Sequence, residues 1–181
     1  TIRPQSRPEE FANSLSHGVG LAVAIVAGIF LIVNAVQRGS AAFLVGASIF
    51  AATMVLLYLA STLYHALPDG RAKHALLVVD HSAIYLFIAG SYTPFTLGVL
   101  RGPWGWTLLA LVWALAAAGV AAKIIGGPQR YHRLSTAVYL GMGWLFLLAA
   151  GPIWRQMPPA GLAWLLPLCV PRSTESTLLD E

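Results

Sequence analysis

Five apolar runs, each about as long as a bilayer is thick, dominate this sequence of 181 residues. They extend roughly from Val19 to Val36, Ala41 to His65, Ala75 to Leu100, Trp104 to Ile125 and Leu134 to Ile153. At about 1.5 Å per residue, such a run crosses a hydrocarbon core of roughly 30 Å as a helix. Lipid offers no hydrogen bonds, so each segment must satisfy its backbone internally, and a helix does that within one stretch of chain. The expected fold class is therefore all-α, a polytopic transmembrane helix bundle of about five spans. Hydrophobic residues make up 57% of the chain and charged residues only 10%. A soluble domain of this size would have no interior large enough for that much apolar surface.

The runs are separated by short turn-forming stretches: Gln37-Arg38-Gly39-Ser40, Pro68-Asp69-Gly70-Arg71, Arg101-Gly102-Pro103 and Gly126-Gly127-Pro128. Short connections make consecutive helices antiparallel neighbours. At the start of the chain, Ser6, Pro8 and Glu9 read as an N-cap, an early-turn proline and a capping-box partner. That start places Glu10, Asn13 and His17 on one helical face. Gly141 and Gly143 are expected to permit close helix approach. Tyr92-Thr93-Pro94 is expected to mark a kink, with Ser91 and Thr93 re-satisfying the freed backbone groups. The segment Ala160 to Val170 is short and contains Pro167, so it reads as a sixth helix begun and not completed. The division expected is a transmembrane unit over residues 1–170 and a polar tail over 171–181.

Charge placement bears on topology. Arg3, Arg7, Arg71, Lys73, Lys123, Arg130 and Arg133 fall on the N-terminal side of the expected bundle, against Arg38, Arg101 and Arg155 on the other. The positive-inside rule then puts the N-terminus in the cytoplasm. A net charge of +4 can signal nucleic-acid binding, but these basic residues are scattered between apolar runs, and no nucleic-acid partner is expected. A cleaved signal peptide is not expected either, because the first run is long and followed by others. The single cysteine, Cys169, excludes an intramolecular disulfide framework and leaves histidine and carboxylates as the material for any metal site.

Polar side chains within apolar runs are costly and therefore informative. His17, His65 and Asp80 all fall toward the cytoplasmic side. Ser61 and His65 lie four residues apart, on one face, with Tyr64 beside them. The Ser61 hydroxyl can orient the imidazole or hold a water, and Asp80 can fix its tautomer or hydrogen-bond a metal-bound water. On this reading Asp80 and Ser61 are the candidate catalytic residues and His65 the candidate metal ligand. The alternative is that His65 and Asp80 pair with interfacial water and with Lys73 or Arg71. His17, with Glu10 and Asn13, is equally compatible with a satisfied interfacial network. His74, His81 and His132 are read as structural, and the Trp and Tyr residues near segment ends as interfacial anchors.

The motifs Glu10-x-x-Asn13-x-x-Ser16-His17-Gly18, Ser61-x-x-Tyr64-His65, Asp80-His81-Ser82-Ala83-Ile84, Ala89-Gly90-Ser91-Tyr92-Thr93-Pro94 and Tyr139-Leu140-Gly141-Met142-Gly143-Trp144 together resemble bacterial hemolysin III proteins. These form the bacterial branch of the progestin and adipoQ receptor superfamily. The similarity runs from about Glu9 to Leu166, and the chain looks C-terminally truncated beside the family's seven helices. The resemblance implies a multi-pass protein of the bacterial inner membrane. It implies a cytoplasmic-side zinc site in which His65 joins two histidines of an H-x-x-x-H motif, with Ser61 and Asp80 in its polar surroundings. No H-x-x-x-H occurs in this sequence, so His65 alone falls short of the three protein ligands of a catalytic zinc centre.

Three functions follow as expectations. One is a pore-forming or cytolytic role, which requires homo-oligomers or a polar path between helices. Another is zinc-dependent hydrolysis of a lipid amide, in which zinc would activate water and polarise the carbonyl. The third is a receptor-like role in lipid homeostasis, with membrane lipids as surroundings and a lipid or small molecule as ligand.

Overall fold

The computed structural model describes residues 5–100, 102–127 and 132–156. Within these residues the chain forms five helices and no strands: α1 (Arg7–Gln37), α2 (Ala41–Ala66), α3 (Arg71–Gly98), α4 (Pro103–Gly126) and α5 (His132–Gln156). The first four are long and apolar enough to cross a membrane; in α5 the apolar stretch is Leu134–Leu147. The expected partial sixth helix and the tail lie outside the described residues.

The helix ends follow from local chemistry. At the start of α1, the Glu9 carboxylate accepts the Ser6 backbone N–H at 2.7 Å and the Ser6 hydroxyl at 2.9 Å, as the capping-box spacing requires. Pro8 occupies the first turn, where a missing N–H costs nothing. The α1–α2 turn closes through Gly39, whose φ of 66° suits glycine, and the Ser40 hydroxyl then accepts the Phe43 N–H to begin α2. With 31 residues, α1 is about 46 Å long. That exceeds the hydrocarbon thickness, so its polar first turns sit at the edge of the apolar zone.

Contacts between α1 and α2 run in opposite chain directions: Ser14 donates to the Thr62 carbonyl, Gly20 lies under the Tyr58 ring and Gly28 meets Ala51. An antiparallel pair follows, and α2–α3 and α3–α4 continue the pattern. Helix α3 is central, packing on α2, α4 and α5. Close approach is bought by glycines other than those expected. A side chain at Gly46 would come within 2.6 Å of the Pro94 backbone, one at Gly90 would strike Thr53, and one at Gly119 would strike the Tyr85 ring. By contrast, Gly141 and Gly143 are exposed and have nothing near their Cβ positions, which corrects their expected packing role among the described residues.

Pro94 lies inside α3 without ending it. The hydroxyls of Ser91 and Thr93 donate to the carbonyls of Ile88 and Ala89, not to the Gly90 carbonyl that Pro94 deprives of its donor, so they do not play the compensating part expected of them. Thr93 also accepts the Trp113 indole N–H at 3.2 Å, which ties α4 to the C-terminal part of α3.

Helices α3 and α5 run parallel and exchange tyrosine hydroxyls. Tyr92 donates to the Met142 carbonyl at 2.5 Å and lies 3.1 Å from that of Gly143, while Tyr139 donates to the His81 carbonyl at 2.9 Å. Phe95 and Tyr92 both meet the Phe146 ring. Substituting Tyr92→Phe keeps those ring contacts and removes one buried donor, so a loss of about 1 kcal/mol is expected, read as a lower unfolding midpoint in detergent. The outward surface is apolar: Val23, Val26, Phe30, Trp106, Trp144 and Leu147 are all more than half exposed. Lipid is the solvent that such a surface fits.

Candidate functional site

The antiparallel connections bring the start of α1, the end of α2 and the start of α3 to one end of the bundle. Three charged or titratable side chains meet there across three helices. The Glu10 carboxylate of α1 accepts from His65 of α2 through Oε2, at 2.6 Å from Nδ1, and from Lys73 of α3 through Oε1, at 2.8 Å from Nζ. All three side chains are largely enclosed, with exposures of 20% for Glu10, 9% for His65 and 12% for Lys73. At such burial a charge-assisted hydrogen bond is stronger than at an exposed site. Lys73 also lies 5.3 Å from the Tyr64 ring centroid and 3.8 Å from Asp69.

One step deeper, His17 of α1 meets Ser61 of α2, with Nδ1 and Oγ 2.6 Å apart. The His17 and His65 rings are 5.6 Å apart between centroids and steeply inclined. Because an ionised carboxylate only accepts, the Nδ1–H of His65 is the donor to Glu10. In the neutral ring that leaves Nε2 as the lone-pair nitrogen.

Geometry and spacing agree that Ser61 and His65 share a face, yet their partners differ from those expected. Ser61 holds His17 rather than His65. Glu10, not Asp80, sets the orientation of His65, and neither Lys73 nor Arg71 pairs with it directly. Asp80 is half-buried on α3, two turns beyond Lys73 and on the same face, close enough to Tyr64 and Tyr139 to act on them electrostatically. No hydrogen bond joins it to His65 or Ser61. Asn13 contacts Gln5 instead of the histidines. His81 serves its own helix, with Nδ1 2.8 Å from the Leu77 carbonyl. The residues that the sequence left in the background are Glu10 and Lys73. Their signal was a carboxylate seven residues before His17, two turns back on the same face.

Among the described residues, no group of three His, Cys, Asp or Glu side chains is arranged to hold a metal ion. The cluster does offer two oriented imidazoles, a clamped carboxylate and an ammonium at one mouth of the bundle.

The Haemolysin-III related family matches residues 5–171. The chain belongs to this family. The cluster thus lies within the family's homologous core, as do all five helices. Among haemolysin III-related relatives, the Hemolysin-3 homolog of Bacillus subtilis (strain 168) is 47% identical over 157 residues, a stretch covering 87% of this chain and 73% of that protein. Hemolysin-3 of Bacillus cereus is 44% identical over 158 residues, covering 87% and 72%. No solved structure matches the chain. Family membership and the apolar helices together make this a multi-pass membrane protein.

Proposed function

We propose that this haemolysin III-related protein acts on the bilayer that holds it, as a cytolytic membrane protein whose working site is the Glu10–His65–Lys73 cluster. We place it in the bacterial inner membrane with its N-terminus, and hence the cluster, on the cytoplasmic side. The observation that carries the choice of site is the single carboxylate gripping side chains from two other helices. Membrane-lytic action is supported by the name Hemolysin-3 given to the Bacillus cereus relative. Buried hydroxyls on Thr53, Thr93 and Thr96 donate to carbonyls of their own helices and do not line a polar passage. Permeation on this reading runs between copies of the chain, as a homo-oligomer in contact with membrane lipids.

A carboxylate-braced imidazole is also what outer-shell partners give a zinc ligand, and this favours a second reading as a zinc-dependent lipid amide hydrolase. His65 and His17 would be the nearest ligands, with Asp80 and Ser61 as polar neighbours. Two imidazoles do not fit the three-ligand requirement of a catalytic centre, and we derive no catalytic step through the metal.

Dye release from liposomes carrying the purified protein distinguishes the readings. The cytolytic reading expects release by the wild type that survives chelator and falls severalfold in His65→Ala. Absence of release in a folded sample overturns it. Lipid amide cleavage that is lost with chelator and in His65→Ala would transfer the assignment to the hydrolase. Ligand binding with neither activity would indicate the receptor-like role.

A further inference from the structure

Helix α3 is poorly supported where it begins. Its N-cap, Gly70, has no side chain to receive the free N–H groups of the first turn, and no acidic residue follows within that turn. Arg71, Lys73 and His74 instead bring basic side chains to a helix end that already carries partial positive charge. Arg71, Ala72, His74 and Ala75 are exposed, which leaves Lys73 as the residue that ties this turn to the bundle. The tie runs to Glu10 at 2.8 Å, on a helix that packs along α2 and has no extended packing on α3 among the described residues. A second carboxylate stands beside the same ammonium: Asp69, fully exposed on the connection just before α3, lies 3.8 Å from Nζ. Beside the Glu10–Lys73 pair sits the His65 side chain, which is enclosed as long as the pair is formed.

We propose that the Glu10–Lys73 pair is a latch over His65. When it releases, Lys73 turns outward to Asp69, the first turn of α3 unwinds, and the His65 ring is uncovered to solution at that end of the bundle. Such an opening leaves no buried charge without a partner: the ammonium moves to a carboxylate in water, and the Glu10 carboxylate keeps the N–H of His65. An exposed turn without a cap is also the kind of segment that opens locally while the rest of a fold stays intact. The two carboxylates on either side of Lys73 thus define two states, one covering the imidazole and one presenting it. The latch deepens the reading of the Glu10–His65–Lys73 cluster as the working site and rests on it for what is gated. It does not rest on membrane lysis, and its test reads no dye release, so the two can fail separately.

The test pairs hydrogen exchange of the first-turn amides of α3 with carbethoxylation of His65 by diethyl pyrocarbonate. Both are measured on the full chain in detergent at mildly alkaline pH, where an imidazole is neutral. Gly70→Ser gives α3 a capping hydroxyl at a position where no described residue lies near the Cβ, and it alters neither Glu10, Lys73 nor His65. It is expected to slow both the exchange and the modification about twofold. Lys73→Met keeps most of the side chain's bulk but removes the tie, and should speed both on the order of tenfold. Modification of His65 that does not slow in Gly70→Ser overturns the proposal, because the ring would then be reached without opening of the turn. So does a Lys73→Met protein in which neither rate rises. Gly70→Ser, a change at an exposed position, decides the matter if Lys73→Met does not fold.

Discussion

Replacing Gly105 with alanine is expected to cost about 3 kcal/mol or more and to leave little monodisperse protein in detergent. The added methyl would fall on the Leu100 carbonyl oxygen and within 2.7 Å of the Thr96 carbonyl oxygen, both of them backbone atoms. Neither can swing aside as a side chain would, because Thr96 belongs to the last turn of α3 and Leu100 to the short connection from which α4 begins. Relief requires the two helices to part, and with them Leu100, Leu108 and Val112, which are buried in the same core. The control is Gly141→Ala. Among the described residues nothing lies near the Cβ position there, so the better helix former should stabilise by up to about 1 kcal/mol. Opposite signs for two glycine-to-alanine changes, read as unfolding midpoints by circular dichroism, would establish the packing; equal effects would refute it.

The second large effect is expected at Glu10. In Glu10→Gln the side chain keeps its size but loses the charge facing His65 and Lys73, and an amide can accept through only one oxygen. Breaking a buried pair leaves a charge behind, here the Lys73 ammonium with only the exposed Asp69 carboxylate still near it, and about 2–4 kcal/mol of stability should be lost. Lys73→Met, which removes that charge as well, should restore part of the loss when combined with Glu10→Gln. A double-mutant cycle measures this coupling directly. Additive effects of the two changes would show that the carboxylate and ammonium do not act as a pair.

Much of the architecture was legible because membrane helices announce themselves by length and apolarity. The apolar runs and the observed helices differ mainly where polar turns extend them: α1 begins at Arg7, ahead of the run at Val19, as the capping box expected at Ser6 requires, and α3 begins at Arg71 rather than Ala75. What one helix does alone was therefore readable, including the face shared by Glu10 and His17 and that shared by Ser61 and His65. How two such faces mesh was not. A shift of one turn along the α1–α2 contact decides whether Ser61 serves His65 or His17, and nothing in either segment fixes that register by itself. The glycines show the same limit. Gly141 and Gly143 resemble packing positions as well as Gly46 and Gly119 do, and only the placement of neighbouring helices separates a contact from an exposed face.

The exchanged hydroxyls of α3 and α5 carry a further implication. Tyr92 and Tyr139 each reach about one turn toward the N-terminal end of the partner helix, the direction in which helical side chains lean. Both seize carbonyl oxygens, which every residue possesses, and so they gauge where the partner backbone lies without consulting the side chains at residues 81, 142 and 143. A slide of α5 by a single residue, roughly 1.5 Å, would break both grips at once. The two tyrosines thus act as pins that set the axial position of α5, while its lipid-facing sequence is left free to drift.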